Sequence, residues 1–261
     1  MLKCLPNFGG YFSLSYFCSV LFNYYTMIDV NNITFGYNKY CNVLQDFSLQ
    51  FKKGGVYGLL GKNGTGKSTL LYLMMGLLRP KQGEVRIDGM LASQRLPEVM
   101  GDMFIVPEEY DLPRISLRKY VKSLKPFYPK FSDELLEQCL SGFDMTSDIN
   151  LGALSMGQKK KVYMCVALAT NTTYLLMDEP TNGLDILSKS QFRKVVIEGM
   201  SEEKTVIIST HQVHDVERML DHVCIIEPNK VLLDAPLVEQ DEPIDLEKLF
   251  IETLTNKKVE D

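Results

Sequence analysis

One stretch of nine residues narrows the folds open to this chain more than any other. Gly61-Lys62-Asn63-Gly64-Thr65-Gly66-Lys67-Ser68-Thr69 fits the pattern G-x-x-x-x-G-K-[ST], with an added glycine at Gly64. The continuous apolar run Val56 to Leu60 precedes it, as expected for a strand buried on both faces. Thr69 to Leu78 follows, with apolar residues at helical spacing. Strand, glycine-rich loop and helix in that order are the context the pattern needs. Glycines let consecutive backbone N–H groups curl around phosphate oxygens, and the helix N-terminus adds positive potential. Gly61, Asn63, Gly64 and Gly66 form the cradle. Lys67 is placed to pair with β- and γ-phosphates, the Ser68 hydroxyl to ligate Mg²⁺, and Thr69 to reach the α-phosphate.

A second strand carries acids. Tyr174-Leu175-Leu176-Met177-Asp178-Glu179 is an apolar run ending in two carboxylates. Adjacent carboxylates at the end of a buried strand are costly unless a cation is present. Behind a phosphate loop, the first acid holds Mg²⁺ and the second suits a general base for water.

Around these two features, runs of strand and helix alternate. Ile28 to Phe35 and Val43 to Phe51 read as strands with a turn at Gly36 to Asn42, and Val85 to Asp88 leads into a turn at Gly89. Met103 to Val106, Thr205 to Ser209 and Val223 to Ile226 read as buried strands. Ser116 to Leu124, Glu134 to Leu140 behind a Ser132 N-cap, and Ser155 to Ala169 read as helices. The expected fold is α/β: a P-loop NTPase core with a mostly parallel sheet, an N-terminal antiparallel β-subdomain and an inserted α-helical subdomain at about 107–157. The acidic tail, 239–261, is expected to hold a helix from Asp245 to Leu254.

The ends and the composition add bounds. With 45% hydrophobic and 23% charged residues over 261 positions, the chain can bury one large α/β domain. A net charge of -5 argues against a surface that coats nucleic acid, so no nucleic-acid partner is expected. The six cysteines show no metal-ligand spacing and read as free thiols, Cys165 and Cys224 as core residues. No charge occurs from Cys4 to Ile28. Residues 1–26 are read as an extension upstream of a start at Met27, with an interfacial anchor or an ordered extension as the alternatives.

Leu154-Ser155-Met156-Gly157-Gln158 separates this chain from other phosphate-loop proteins. It resembles the signature Leu-Ser-Gly-Gly-Gln of the ABC ATPases, with Met156 in place of the first glycine. The spacings agree: Gln158 lies 20 residues before Asp178, and His211 lies 33 after it. The resemblance covers residues 28 to about 230. It implies that Tyr37 stacks on adenine (Tyr40 is the weaker candidate) and that His211 is the switch histidine. Asp185, in Pro180-Thr181-Asn182-Gly183-Leu184-Asp185, is implied to sit at a subunit interface. Ser155, Gly157 and Gln158 are implied to touch nucleotide bound by a second subunit, either a second copy or a sister chain. Glu108 takes the place of a family glutamine that ligates Mg²⁺, adding charge near the γ-phosphate, and Met156 adds side-chain bulk where bare backbone is usual. The run Lys159-Lys160-Lys161 reads as a solvated helix face.

The function implied is ATP hydrolysis, ATP and water to ADP and phosphate, with ATP and Mg²⁺ bound, Glu179 orienting water, and Lys67 and His211 assisting. The work is delivered to a separate integral membrane permease, with the subunit peripheral on the cytoplasmic face of the cell membrane. The short tail and single cassette look like a two-component exporter. The alternatives are a non-transport ABC ATPase of a soluble assembly complex, and a nucleotide-gated module with little hydrolysis.

Overall fold

The computed structural model describes residues 27–237 and 245–255. The expected extension over 1–26 and most of the acidic tail lie outside the described residues.

Two sheets organise the chain. The first is antiparallel, in the order β2-β1-β4-β5. Its strands are β1 (Met27–Phe35), β2 (Leu44–Lys52), β4 (Gln82–Ile87) and the short β5 (Met90–Leu91). Ile28, Val30, Phe47, Leu49 and Phe51 point into one core, as alternation along a half-buried strand requires. This is the expected N-terminal β-subdomain.

The second sheet holds β3 (Gly55–Leu60), β6 (Met103–Val106), β7 (Tyr174–Asp178), β8 (Thr205–Thr210), β9 (His222–Glu227) and β10 (Lys230–Pro236). Its order is β10-β9-β3-β8-β7-β6, and every pairing is parallel except the β9–β10 hairpin. Both faces are covered. Val56 and Leu60 pack into one core with Leu175, Met177, Val206 and Ile208, whereas Tyr57, Leu59, Leu176 and Ile207 pack into the other. Two buried faces explain why these strands read as unbroken apolar runs.

Seven α-helices lie among the described residues: α1 (Lys67–Met74), α2 (Pro97–Met100), α3 (Leu117–Leu124), α4 (Asp133–Gly142), α5 (Met156–Ala169), α6 (Ile186–Glu198) and α7 (Leu246–Thr255). Ser116 and Ser132 cap α3 and α4 by accepting from the Lys119 and Leu135 backbone N–H groups. Both helices lie between β6 and α5, in the expected helical insertion.

The structure departs from the sequence reading in several elements. Helix α1 stops at Met74 rather than Leu78. Two residues on, Gly76 has φ +63°, and a Cβ there would lie 2.1 Å from the Ala92 carbonyl oxygen, so the chain turns away under an adjoining segment. Helix α6 was not expected. Its buried face, Ser188, Phe192, Val195 and Val196, follows helical spacing, and Asp185 caps it through the Ser188 N–H at 2.8 Å. Ser188, a polar residue, begins that face and obscures the pattern. The edge strand β10, half-buried and ending at Pro236, and the one-turn helix α2 were also missed.

Candidate functional site

Parallel pairing in register delivers four chain segments to one edge of the second sheet. Leu60 pairs with Thr210, Asp178 with Ser209 and Val106 with Met177, so β3, β8, β7 and β6 end together. The residues that follow, Gly61, His211, Glu179 and Glu108, therefore emerge at the same place. Ligands of open α/β sheets bind outside the carboxyl ends of such strands.

A cleft of about 410 Å³ opens there, lined by Tyr37, Asn63, Gly66, Lys67, Ser68 and Thr69 from the loop side and by Glu108, Glu179 and His211 from the strand ends. Gly66 makes the loop possible. Its φ is +98° at the N-cap of α1, and a Cβ would meet Leu44 at 2.9 Å. Lys67 is buried and donates from Nζ to the carbonyls of Gly61 (2.8 Å) and Lys62 (3.2 Å), with Glu179 Oε1 3.6 Å away. Burial pushes the ammonium's pKa down, and Glu179 and Asp178 pull it back up.

Asp178 is 1% exposed. Its carboxylate accepts from the Ser209 and Ser68 hydroxyls, and desolvation raises its pKa. Among the described residues no ammonium or guanidinium pairs with it directly; Lys67 faces Glu179 instead. A buried carboxylate beside a serine hydroxyl, with oxygen donors alone, is a donor set that suits Mg²⁺.

Glu179 has φ +43°, a left-handed value uncommon outside glycine. Its Oε2 accepts from Thr210 Oγ1 at 3.0 Å, and its Oε1 lies 2.8 Å from His211 Nδ1. An ionised carboxylate only accepts, so His211 presents Nδ1–H to it. Glu108 sits at the rim, accepting from Asn182 Nδ2 at 2.9 Å. Tyr37 lines the cleft and its hydroxyl lies 3.2 Å from Thr69 Oγ1, whereas Tyr40 is 98% exposed and does not line it.

Other predicted site residues do not enter this cleft. Ser155 and Gln158 face solvent at the start of α5, where they form a capping box: the Gln158 N–H donates to Ser155 Oγ (3.3 Å) and the Ser155 N–H to Gln158 Oε1 (3.0 Å). Met156 is exposed beside them, and Gly157 has open space around it. Asp185 is spent on capping α6. The chain by itself does not bring its phosphate loop and these residues together.

One reading of a residue type is corrected. The lysine run is not a solvated face throughout, because Lys160 is 9% exposed and its ammonium donates to the Glu179 backbone carbonyl. Helical geometry turns that one position inward, which a run of like charges conceals. Cys224 is a buried free thiol, as expected, and lies beside His222 and Asp234, with their polar atoms within 4.8 Å of one another on β9 and β10. His222 Nε2 and Cys224 Sγ both hydrogen-bond to Asp234 Oδ1 already.

The family model described as ABC transporter matches residues 44–182, just over half of the chain. This chain belongs to the ABC transporter ATP-binding family. The ABC transporter ATP-binding protein YtrB of Bacillus subtilis is 28% identical over 193 residues, covering 72% of this chain and 65% of YtrB, so the match spans under two thirds of that relative. The bacitracin transport ATP-binding protein BcrA of Bacillus licheniformis is 30% identical over 218 residues, 81% of this chain and 70% of BcrA. A solved ATP-binding subunit of an ABC transporter superposes with a TM-score of 0.75 at 23% identity, covering 88% of this chain and all of that one, which shows the shared fold. The matched residues of this ABC ATP-binding domain include the phosphate loop at 61–69 and the acidic strand end at 174–179. No described helix is long and apolar enough to cross a membrane.

Proposed function

We propose that this chain hydrolyses ATP in a dimer and that the work drives a separate membrane permease in the outward direction, with the subunit held on the cytoplasmic face through that permease. The observation that carries the reading is the convergence of Lys67, Ser68, Glu179 and His211 on one cleft, with Asp178 buried behind Ser68, and with Ser155 exposed and Gly157 half-buried elsewhere on the same chain. An ATP-binding cleft completed by another subunit's surface accounts for both halves of that arrangement. The relative named for bacitracin transport supports the transport reading.

Tyr37 offers a face for adenine and the loop amides a cradle for phosphates. Lys67 exchanges the Gly61 and Lys62 carbonyls for phosphate oxygens. Ser68, Asp178 and Glu108 would hold Mg²⁺, which when bound would offset the negative charge of the phosphates. Glu179 accepts the proton of the attacking water, and the Thr210 and His211 contacts fix its carboxylate. Ser155, at the positive end of α5, presents its hydroxyl proton to the partner's nucleotide, because the capping box uses only its lone pair.

The test is steady-state ATPase activity of the purified chain with Mg²⁺ across a range of protein concentrations. Turnover per subunit that rises with concentration supports a site completed by a partner. Turnover independent of concentration in a monomeric protein sinks the dimer reading. Co-purification from membranes of an integral membrane protein, rather than a soluble scaffold, separates transport from a soluble assembly complex, and ATP-driven uptake by inside-out vesicles reports outward direction.

A further inference from the structure

Lys160 lies in the second turn of α5, the helix that presents Ser155 and Gly157 at its start. From there its ammonium reaches across to the strand-end loop and donates to two backbone carbonyls, Glu179 O at 3.0 Å and Asn182 O at 2.8 Å. These are the two ends of the loop 179–182, which the Asn182 N–H also closes onto Glu179 O at 3.2 Å. Asn182 is itself a junction: its side chain donates to Glu108 Oε1 and accepts from Gln212 Nε2 at 2.8 Å. One buried cation thus ties α5 to the segments that follow β7, and through Asn182 to those that follow β6 and β8.

The loop needs holding. Glu179 occupies a left-handed backbone conformation without being glycine, and such residues persist only where their surroundings over-determine them. Its N–H donates to Ser209 O at 3.0 Å, which fixes one side of the peptide. Lys160 fixes the other through the carbonyl, with bonds of the charge-assisted kind, about twice as strong as neutral ones. Burial pushes the ammonium's pKa down, and Glu108, Glu179 and Asp178 push it up. A buried lysine with no role would be a cost to folding.

We propose that Lys160 is a positioning residue for hydrolysis: its ammonium holds loop 179–182 in the shape that aims the Glu179 carboxylate, and so couples the helix of Ser155 and Gly157 to the base. This rests on Glu179 acting as the base. A signature helix displaced by nucleotide on a partner subunit pulls directly on that loop.

The experiment compares wild type with Lys160→Met, an unbranched side chain one atom shorter and without donors, and Lys160→Gln, a donor without charge. It reads kcat and KM together with amide exchange of peptides covering 179–185, both with thermal unfolding as the check on folding. For Lys160→Met the expected result is a fall in kcat of about tenfold or more, the scale of one lost charge-assisted hydrogen bond, with KM changed by less than about twofold. Exchange rises in the loop and stays slow in β7 and β8, and Lys160→Gln falls between. A Lys160→Met kcat within about twofold of wild type overturns the proposal, since a space-filling role predicts no more. Unchanged loop exchange overturns it whatever kcat does. If Lys160→Met does not unfold cooperatively, Lys160→Gln is judged by the same two readouts. If wild type shows no ATPase activity, the hydrolysis reading fails separately, and the exchange contrast still decides whether Lys160 holds the loop.

Discussion

Glu179→Gln separates chemistry from binding, because the structure lets glutamine keep almost every contact. Its amide oxygen can take the Oε1 place, accepting from His211 Nδ1, while its NH₂ faces Thr210 Oγ1, a hydroxyl that can turn from donor to acceptor. What disappears is the charge. Lys67, 3.6 Å away, loses a buried partner but keeps the Gly61 and Lys62 carbonyls, and Asp178 loses a like-charged neighbour. These effects oppose, so folding stability should change by about 1 kcal/mol or less. Loss of a general base lowers turnover by roughly 10²–10⁴, or about 3–5 kcal/mol of barrier. The assay is steady-state and single-turnover hydrolysis beside equilibrium binding of a fluorescent ATP analogue. Binding that survives with turnover down by that factor fits the reasoning. Turnover within about tenfold of wild type would mean that another group activates the water. Lost turnover together with lost binding and a lowered melting temperature would mean that the site collapsed and that the contact argument was wrong.

Three further expectations follow from other parts of the molecule. Tyr37→Ala should weaken ATP binding by about tenfold, the lower range for losing a base–aromatic stack, and leave kcat at saturating ATP unchanged; an unaltered Kd removes Tyr37 from the adenine site. Gly157→Ala meets no atom within 4 Å and lies inside a helix, so urea unfolding should show stability unchanged or raised by up to about 1 kcal/mol, while ATPase activity falls if this surface meets a partner's nucleotide. Activity equal to wild type at every protein concentration refutes that contact. Lys204 is 2% exposed, donates to the Gly199 and Leu168 carbonyls, and burial lowers its pKa to about 8. Its folded-state pKa lies below the unfolded one, so between about pH 8 and 10.5 the unfolded chain binds more protons and stability from this group rises with pH. From pH 7 to 9.5, urea unfolding of wild type should gain about 2 kcal/mol relative to Lys204→Met, and no relative gain means the lysine is uncharged or solvated throughout.

The sequence by itself determined the chemistry-bearing segments. Gly61 to Thr69, Tyr174 to Glu179 and Leu154 to Gln158 carry local rules: glycines where backbone must wrap phosphate, acids after an apolar strand, a serine and glutamine at capping spacing. Apolar runs of strand length marked the parallel strands, since burial on two faces leaves no polar alternation. Where two local signals overlapped, the sequence was silent. Asp185 reads as an interface residue and in the fold also caps α6, and Ser188 begins a buried helix face that looks polar. Only the tertiary structure could place Glu108, Asn182, Gln212 and Lys160 around one loop, because those contacts cross 19 to 74 residues of chain. Lys160 shows why. Its neighbours Lys159 and Lys161 make side-chain contacts nearer the surface, and nothing in three successive lysines says which one the helix turns inward. That choice belongs to the docking of α5 against α4, β6 and the loop after β7, where a buried cation is favourable only because two carbonyls and three carboxylates are already there.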